Sequence, residues 1–416
     1  MSLKVVVGAG ATGIPTALLL AQADEQVRLV SRRGSGPIHP NIELVRADAT
    51  DTARLVEVAR GATTLYNCAM PPYDQWPALW PPLAASLLAA AEQTGTDYVM
   101  VGNAYGYGPV AGPVTEDLPL AATTSKGRVR ARMWLDAKAA YDAGRVRATE
   151  VRAHDFLGPG AVSYYAFTVQ PAILAAEKAT FFPADLDATH SWTYTVDTAR
   201  TAVAAGEHEE SWGRAWHVPS TADISVRQLT QLIADAAGTA PAALTTMTTE
   251  EFAALAASDS IVAEVLEMLY MMERPAVLDS GETRRLLDVE ATPIEEVVAE
   301  IVENGGVPDV SDEARLGARR RTSEAGRRLG SPEVLPGIRA GEEDGGDRGT
   351  GLFGAEAAVQ CTADDAFEEA GVKLGQRADG QVGAERTLAD AALEEGVDGG
   401  DEGLLRLGFL RRSLVE

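Results

Sequence analysis

The chain is poor in the residues on which several kinds of functional site depend. It contains two cysteines, Cys68 and Cys361, and their separation indicates neither a disulfide framework nor a CxxC metal pair. Its five histidines are scattered and lack the short spacings that zinc sites favour. The sequence therefore predicts no metal site.

Basic residues are also scarce relative to acidic ones. Lysine and arginine number 36 against 61 aspartates and glutamates, which gives a formal net charge of −25. Nucleic acids and anionic membranes select for basic patches, so neither is expected as a main partner. A nucleotide ligand is not excluded, because backbone amides can hold its phosphates.

Long apolar runs are missing as well. The chain does not open with a charged region followed by a cleavable apolar segment. Its first apolar helix spans about ten residues, whereas a membrane span needs roughly 20. We therefore expect a cytoplasmic protein.

Glycine, by contrast, stands at the start of the chain in an ordered pattern. A β-branched run ends at Val7, and the turn Gly8-Ala9-Gly10-Ala11-Thr12-Gly13 leads directly into the apolar helix Ile14–Ala23. Strand, GxGxxG and helix in this order are typical of a dinucleotide-binding turn. The first glycine permits the tight turn, the second lets the backbone approach a pyrophosphate, and the third lets helix and strand pack closely. The predicted cofactor contacts are Gly8, Gly10, Ala11, Thr12 and Gly13. A glycine-rich turn without a ligand is the alternative.

Strand-like and helix-like segments alternate from residue 3 to residue 103. The predicted strands are Lys4–Val7, Val27–Val30, Ile42–Val45, Leu65–Asn67 and Tyr98–Val101. Helices are predicted at Asp51–Ala59 and Leu83–Thr94, and a further helix at Thr124–Gly144 precedes a strand at Thr149–Arg152. Strands separated by helices indicate a doubly wound α/β domain with a parallel sheet.

The loop after the second strand predicts which dinucleotide binds. An acidic residue there would bond the ribose hydroxyls of NAD, but the strand ends Val30-Ser31-Arg32-Arg33. Two guanidiniums suit the 2′-phosphate of NADP, so Ser31, Arg32 and Arg33 predict NADP in preference to NAD. The alternative is a solvated basic loop.

Polar residues also follow the third and fourth strands. Asp48 is placed to meet the adenine, and Asn67-Cys68-Ala69 is placed beneath the cofactor. Ligands of open parallel sheets sit at the carboxyl ends of the strands, so both segments are predicted to contact the dinucleotide.

Further motifs continue this order along the chain. They are Asn103-Ala104-Tyr105-Gly106, Thr115-Glu116-Asp117-Leu118-Pro119-Leu120, the segment from Arg152 to Gly160, and Tyr194-Thr195-Val196-Asp197. With the glycine turn, the Asp48 loop and Asn67-Cys68-Ala69, they resemble the extended and atypical short-chain dehydrogenase/reductases over about residues 3 to 303. This is the NAD-dependent epimerase/dehydratase group, which includes UDP-sugar epimerases. The resemblance implies a Rossmann core, a substrate lobe, and hydride transfer to or from a carbonyl or alcohol.

Three regions are predicted on this basis. Residues 1–160 form the NAD(P)-binding Rossmann domain, and residues 161–303 form a smaller, mainly helical substrate lobe that is interleaved with the core. Helical patterns in the lobe are Val226–Ala237, Thr249–Ala257, Ile261–Met272 and Pro293–Val302. In residues 304–416 glycine becomes dense and tryptophan and tyrosine vanish, which predicts a low-complexity, disordered tail.

The catalytic set of the resembled group is not preserved. In that group an upstream Ser or Thr accompanies Tyr-x-x-x-Lys, whose lysine lowers the pKa of the tyrosine and holds the nicotinamide ribose. Asn103 occupies the upstream position, and its amide could donate the same hydrogen bond. One register places Lys126 and Arg130 where tyrosine and lysine belong, and another keeps Lys138 but replaces the tyrosine with Trp134. Arg130 is predicted to serve the ribose or phosphates as a cation, with a pKa above about 12.

A substitute acid lies just beyond the fifth strand. Tyr105 and Tyr107 are placed at the sheet edge where substrate is expected. A tyrosine needs a nearby cation to lower its pKa from about 10, and Lys126 is the candidate. The predicted catalytic residues are therefore Asn103, Tyr105 and Lys126. The alternative is that both tyrosines only pack the loop.

Two histidines are interpreted structurally. His154 and Asp155 are neighbours on a predicted strand, where adjacent side chains face opposite sides, so they are not expected to form a pair. His217, within Trp216-His217-Val218-Pro219, is expected to be part of the scaffold.

Two functions remain open from the sequence. The first is an NADP-preferring oxidoreductase or epimerase that acts on a small polar carbonyl or sugar-like substrate. The second is a non-catalytic dinucleotide-binding sensor or scaffold, which the missing Tyr-x-x-x-Lys favours. A homodimer through the helices after the fourth and fifth strands is a further expectation.

Overall fold

The predicted alternation of strands and helices becomes a layered α/β structure. The computed structural model describes residues 1–239 and 243–304. Its strands are β1 (Leu3–Val7), β2 (Gln26–Ser31), β3 (Ile42–Arg46), β4 (Thr64–Asn67), β5 (Asp97–Asn103), β6 (Ala148–Ala153), β7 (Asp155–Leu157), β8 (Ala179–Phe181), β9 (Thr189–Tyr194), β10 (Ala215–His217), β11 (Ala222–Ser225) and β12 (Leu244–Thr246). Its α-helices are α1 (Gly13–Gln22), α2 (Thr52–Ala59), α3 (Trp76–Thr94), α4 (Ser125–Asp142), α5 (Gln170–Leu174), α6 (Thr195–Glu207), α7 (Val226–Ala237), α8 (Thr249–Ser258), α9 (Ser260–Val265), α10 (Gly281–Leu287) and α11 (Ile294–Glu303). The predicted tail lies outside the described residues beyond Asn304.

Seven strands form one parallel sheet in the order β3-β2-β1-β4-β5-β6-β10. The chain leaves β1 towards one side of the sheet and later returns to its other side at β4, which makes this the point where ligands bind in such sheets. The predicted doubly wound, Rossmann-type fold is confirmed. β10 was not predicted, because three residues are too few to show a period.

Both faces of the sheet are covered by helices. Side chains alternate along β1, so Val5 and Val7 pack towards α2, α3 and α4, while Val6 packs towards α1 and α6. Burial on both faces explains why these strands are apolar throughout rather than alternating.

The predicted helices are present, but two of them differ in extent, and α5, α6 and α10 were not predicted. α3 starts at Trp76 rather than at Leu83. The prediction started too late because Pro77, Pro81 and Pro82 interrupt the helical pattern in the sequence. The predicted helix Ile261–Met272 is instead α9 followed by a 3₁₀ segment over Leu266–Met271.

The lobe has its own apolar core. Helices α5, α7, α8, α9 and α11 pack around aromatic side chains that include Phe181, Phe182 and Phe252. The predicted mainly helical lobe is confirmed, and it also carries a three-stranded sheet β7-β9-β11 and the pair β8-β12. The division at residue 160 stays a prediction. In the described part of the chain, no helix has the length and apolar character that a membrane crossing requires.

Candidate functional site

The glycine turn between β1 and α1 is closed on one side and open on the other. A Cβ on Gly8, whose φ is 108°, would lie 2.5 Å from the carbonyl oxygen of Cys68. A Cβ on Gly13 would lie 1.8 Å from the carbonyl oxygen of Gly8, so neither glycine can be replaced without movement of the backbone. A Cβ on Gly10 would meet nothing within 4 Å. The exposed backbone at Gly10 and the first amides of α1 therefore fit a pyrophosphate.

The end of β4 and the residues that follow it pack against this turn and against α1. Asn67 is buried and donates a hydrogen bond from Nδ2 to the Tyr98 hydroxyl over 3.0 Å. The Sγ atom of Cys68 lies 3.8 Å from Oγ1 of Thr16 on α1, and burial raises the pKa of the Cys68 thiol to about 12. The segment lies where the sequence predicted, and contact of Asn67, Cys68 and Ala69 with a cofactor stays a prediction.

Three arginines gather where β2 and β3 end. Arg32 and Arg33 are exposed directly after Ser31, the last residue of β2. Arg46 is exposed at the end of β3 and pairs in register with Ser31. The sequence identified the first two arginines but missed Arg46, because strand pairing rather than chain proximity brings it to this edge.

Asp48 lies close to the same arginines. Hydrogen bonds from the backbone amide and the hydroxyl of Thr50 hold the pKa of Asp48 below its usual value, and Arg32 acts in the same direction. Asp48 is therefore an exposed carboxylate at the position predicted for the adenine.

A cleft of about 750 Å³, including its mouth, opens beyond the ends of β5 and β6. Its polar lining residues are Tyr73, Asn103, Tyr105, His154, Asp155, Ser163 and Tyr164. Apolar side chains of the lobe, among them Met268 and Met271, line the rest. The cleft thus combines hydrogen-bonding groups with an apolar cover.

Asn103 and Tyr105 are held together at the end of β5. Asn103 accepts a hydrogen bond at Oδ1 from the amide of Tyr105 over 3.3 Å and so caps the 3₁₀ turn over 104–107. Burial raises the pKa of Tyr105 to about 12, although the neighbouring Tyr73 hydroxyl acts in the opposite direction. Tyr105 therefore keeps its proton at neutral pH and can act as a donor.

Lys126 has charged partners of its own in the structure, and its predicted role beside Tyr105 stays a prediction. Its ammonium is fully buried, forms ion pairs with Glu264 and with Glu267 at 3.1 Å, and lies 4.6 Å from the centroid of the Tyr73 ring. Two carboxylates from the lobe thus hold this cation, and the pKa of Tyr105 is raised rather than lowered. Sequence reasoning missed the two glutamates because they lie far along the chain.

Arg130 lies in the core between helices α3 and α4. Its guanidinium carbon is 4.5 Å from the ring centroids of both Trp76 and Trp80, and its NH1 group donates to the carbonyl oxygen of Val101 over 3.4 Å. Burial lowers the pKa of Arg130 to about 10, below the value expected from the sequence, yet leaves it a cation at neutral pH. The cation–π contacts account for its burial, and a contact with the cofactor stays a prediction.

Tyr107 belongs to a buried polar network away from the cleft lining. Its hydroxyl lies 2.7 Å from Nε2 of His217 and accepts a hydrogen bond from Arg152 over 2.6 Å. Arg152 in turn donates to Glu150 over 2.7 Å. Burial lowers the pKa of His217 to about 4, so this histidine is neutral at physiological pH. The geometry supports the packing interpretation of Tyr107 and the structural interpretation of His217.

The expectation that His154 and Asp155 do not pair is wrong. His154 falls between β6 and β7, where the alternation of a single strand is broken, and its Nδ1 lies 3.2 Å from Oδ2 of Asp155. His190 on β9 brings its Nδ1 within 3.4 Å of the same oxygen. Although burial opposes it, the two histidines hold the pKa of Asp155 well below its usual value. Nothing in the local sequence pointed to His190.

The loop after β7 reaches back to the glycine turn. A Cβ on Gly160, whose φ is 71°, would lie 3.5 Å from Cβ of Ala11. Gly158 has a φ of 108°, and a Cβ there would lie 2.7 Å from the Tyr194 ring. The loop that begins at the cleft therefore ends against the predicted phosphate contacts.

Solved structures share this fold. The UDP-glucuronic acid 4-epimerase from Bacillus cereus in complex with NAD is 16% identical, with a TM-score of 0.60 over 73% of this chain and 96% of that chain. The UDP-glucose 4-epimerase from Brucella ovis in complex with NAD is 18% identical, with a TM-score of 0.60 over 74% of this chain and 99% of that chain. The dTDP-glucose 4,6-dehydratase from Bacillus anthracis in complex with NAD is 16% identical, with a TM-score of 0.59 over 73% of this chain and 96% of that chain.

Sequence comparison identifies the family directly. No curated protein matches the chain. The family model described as NAD dependent epimerase/dehydratase family matches residues 5–218, which is more than half of the 416 residues. Because this match covers more than half of the chain, the chain belongs to the NAD-dependent epimerase/dehydratase family.

Proposed function

We propose that the protein is an NAD(P)-dependent oxidoreductase or epimerase that acts on a small polar carbonyl or sugar-like substrate. The position of the cleft carries the proposal: Asn103, Tyr105 and His154 line it where β5 and β6 end. The glycine turn lies at the same edge of the sheet, where ligands of such folds bind. The Bacillus cereus epimerase has also been solved with UDP-glucuronic acid and NAD, which supports a sugar-like substrate.

The edge formed by β1, β2 and β3 would hold the dinucleotide. The open backbone at Gly10 and the start of α1 suit the pyrophosphate. The exposed Arg32, next to Ser31, and Arg46, which pairs with Ser31 in the sheet, suit a 2′-phosphate. We therefore propose NADP in preference to NAD. Bound there, the nicotinamide supplies or accepts the hydride.

The residues of the cleft would orient the substrate and move the proton. Tyr105, protonated because its pKa is about 12, donates a hydrogen bond to the substrate oxygen. The Asn103 amide holds the same oxygen from the end of β5. Tyr105 then gives its proton to that oxygen as charge develops on it, which is the part that general acids play.

Hydride transfer tests the proposal. NADPH deuterated at nicotinamide C4 would be incubated with the protein and a panel of small carbonyl compounds and nucleotide sugars, and deuterium in the product would be measured by mass spectrometry. Tyr105→Phe should lower kcat about 100-fold and leave the Kd for NADPH unchanged, because the hydroxyl acts on the substrate. Tyr107→Phe is the matched control, since its hydroxyl contacts His217 and Arg152 instead.

Three outcomes separate the alternatives. Equal turnover in the Tyr105 and Tyr107 variants would contradict the assigned acid. Binding of NADPH without transfer to any compound would favour the sensor or scaffold. Absence of binding to both NADPH and NADH, followed through tryptophan fluorescence, would remove both functions.

The homodimer stays a separate proposal. Helices α3 and α4 lie side by side on one face of the sheet, and Leu135 on α4 is 51% exposed. Light scattering after size exclusion should give twice the chain mass of 43.8 kDa. In a Leu135→Asp variant the measured mass should move towards that of a single chain. A wild-type protein at the mass of one chain would contradict the proposal.

A further inference from the structure

Three side chains of metal-binding type meet beside the cleft. His154 follows β6, Asp155 begins β7, and His190 lies on β9. β7 and β9 are parallel with Asp155 opposite Trp192, so His190 is two residues earlier on the same face of its strand. Strand pairing thus brings the second histidine to a pair that is local in sequence.

The spacing of their atoms matches one small ion. Oδ2 of Asp155 lies 3.2 Å from Nδ1 of His154 and 3.4 Å from Nδ1 of His190. One ligand atom from each of the three residues lies within 4.8 Å of the others. Ligands about 2.0–2.1 Å from a tetrahedral ion lie roughly 3.3–3.4 Å apart. The two distances to the carboxylate therefore fit ligands that share one ion.

His190 provides an independent observation. His190 is fully buried; its Nδ1 lies 3.4 Å from Oδ2 of Asp155 without the angles of a hydrogen bond, and its Nε2 has no hydrogen-bond partner within residues 1–239 and 243–304. A buried polar group without a partner is costly, and buried imidazoles are normally bonded. An ion held between His190 and Asp155 would give the buried nitrogen a partner.

We propose that His154, Asp155 and His190 bind one divalent transition-metal ion, with Zn²⁺ as the preferred ion. Two imidazoles and a carboxylate are donors that Zn²⁺ accepts, and three protein ligands leave a fourth position for water or a substrate oxygen. His154 and Asp155 both line the cleft, so this fourth position is open to it. The ion would there polarise an oxygen as a Lewis acid. Metal binding does not depend on the proposed hydride transfer, and either can fail without the other.

Metal binding is tested on the full chain. The protein would be stripped with a chelator, dialysed, and titrated with Zn²⁺ against a chromophoric competitor. We expect one Zn²⁺ ion to bind tightly per chain. Binding should be at least tenfold weaker in His190→Asn and Asp155→Asn, since even changes in the groups that surround metal ligands weaken binding by about this much. His39→Asn is the control, because His39 accepts the amide of Asn41 at 3.2 Å and lies outside the cluster.

A ligand replacement guards against variants that merely misfold. His190→Cys keeps a donor at the same position, so the stripped variant should still bind Co²⁺. It should also show a thiolate-to-metal absorption band that the wild type lacks. A band of this kind arises only when the new sulfur binds the ion.

Several results would overturn the proposal. One is wild-type protein that binds Zn²⁺ no more tightly than His190→Asn. Another is a loss in His39→Asn that equals the loss in His190→Asn, which would indicate adventitious binding to histidines. Absence of the Co²⁺–thiolate band in a folded His190→Cys variant would likewise remove His190 as a ligand.

Discussion

The two halves of the binding edge are built in different ways. The nucleotide end, formed by the ends of β1, β2 and β3, presents glycine backbone and exposed arginines. The cleft end, formed by the ends of β5, β6 and β7, rests on buried charges and aromatic rings such as Glu150, Arg152 and His190. The nucleotide end depends on local chain geometry, whereas the cleft end depends on contacts between distant segments.

This difference separates binding from chemistry. A tight turn and a helix start can hold phosphates with few side chains, so many sequences can retain that ability. A cleft that handles protons needs particular groups at particular distances, and these groups tolerate less change. The departures of this chain from its family, at Lys126 and Arg130, affect the positions expected to carry out the chemistry rather than the glycine turn.

Cutting a buried ion pair within β6 and an exposed one between β2 and β3 should give the largest contrast. Arg152 and Glu150 are 3% and 2% exposed at 2.7 Å, whereas Arg28 and Glu43 are 30% and 65% exposed at 3.0 Å. Glu150→Gln leaves a buried guanidinium unpaired and should lower the unfolding free energy by about 3–5 kcal/mol. Glu43→Gln should cost less than about 1 kcal/mol in the same urea titration.

A double variant controls for the buried pair. Glu150→Gln combined with Arg152→Met removes both charges and should recover most of the lost stability. Similar losses from Glu43→Gln and Glu150→Gln would show that burial does not separate the two ion pairs as described.

The glycine turn offers a matched test within the nucleotide end. Gly13→Ala forces a Cβ to within 1.8 Å of a backbone oxygen and should lower the unfolding free energy by about 3 kcal/mol. Gly10→Ala meets nothing within 4 Å, so stability should stay within about 0.5 kcal/mol. Its Cβ does fill the space proposed for the pyrophosphate, so NADPH binding should weaken. Unchanged NADPH binding in Gly10→Ala would show that the cofactor does not approach there.

The pH dependence of stability tests the buried network of the cleft end. The pKa of His217 is about 4 in the folded protein and about 6.5 when unfolded. The contribution of neutral His217 to the unfolding free energy is fully present above pH 6.5. As the pH falls towards 4, the unfolded chain takes up a proton that the folded protein does not, so the unfolding free energy should fall by roughly 2–3 kcal/mol. His217→Gln should lack this part of the pH dependence, and His39→Gln should keep it. An identical pH profile in His217→Gln and the wild type would show that His217 does not titrate in this way.

The smallest expected effect is in cofactor choice. Arg32→Ala should weaken NADPH about tenfold, or about 1.4 kcal/mol, while NADH changes little, because only NADPH carries the 2′-phosphate. Arg46→Ala should act in the same direction. Arg60, exposed at the far end of α2, provides the control. Equal losses for both dinucleotides in Arg32→Ala would contradict the preference for NADP.

The fold was largely readable because its signals are local. β1 to β6 appear as apolar runs between helical segments, and Asp51, the first residue of the predicted helix Asp51–Ala59, caps α2 by accepting a hydrogen bond from the amide of Arg54 over 3.0 Å. β10 escaped notice because three residues show no period. The first half of α3 escaped because proline usually marks the end of a helix, although the tertiary fold accommodates it here.

The site was readable only in part, for the same physical reason. The glycine turn carries its information in six consecutive residues, from Gly8 to Gly13. The partners of Lys126, Glu264 and Glu267, could not be predicted because they come from the lobe, far along the chain. His190 carried no signal at all, since only the pairing of β7 with β9 brings it to Asp155.

The closeness of Gly160 to Ala11 has a consequence for how the two ends respond to ligands. β7 begins at Asp155 in the cleft, and the loop that follows it reaches the glycine turn. A dinucleotide bound as proposed would hold Ala11, restrict this loop and so affect whatever binds at Asp155. Thermodynamic linkage then makes the effect reciprocal. If the dinucleotide changes the affinity of the cleft for its ligand by some factor, that ligand changes the affinity for the dinucleotide by the same factor. A Kd measured at one end therefore depends on whether the other end is occupied, and it should be given together with that occupancy.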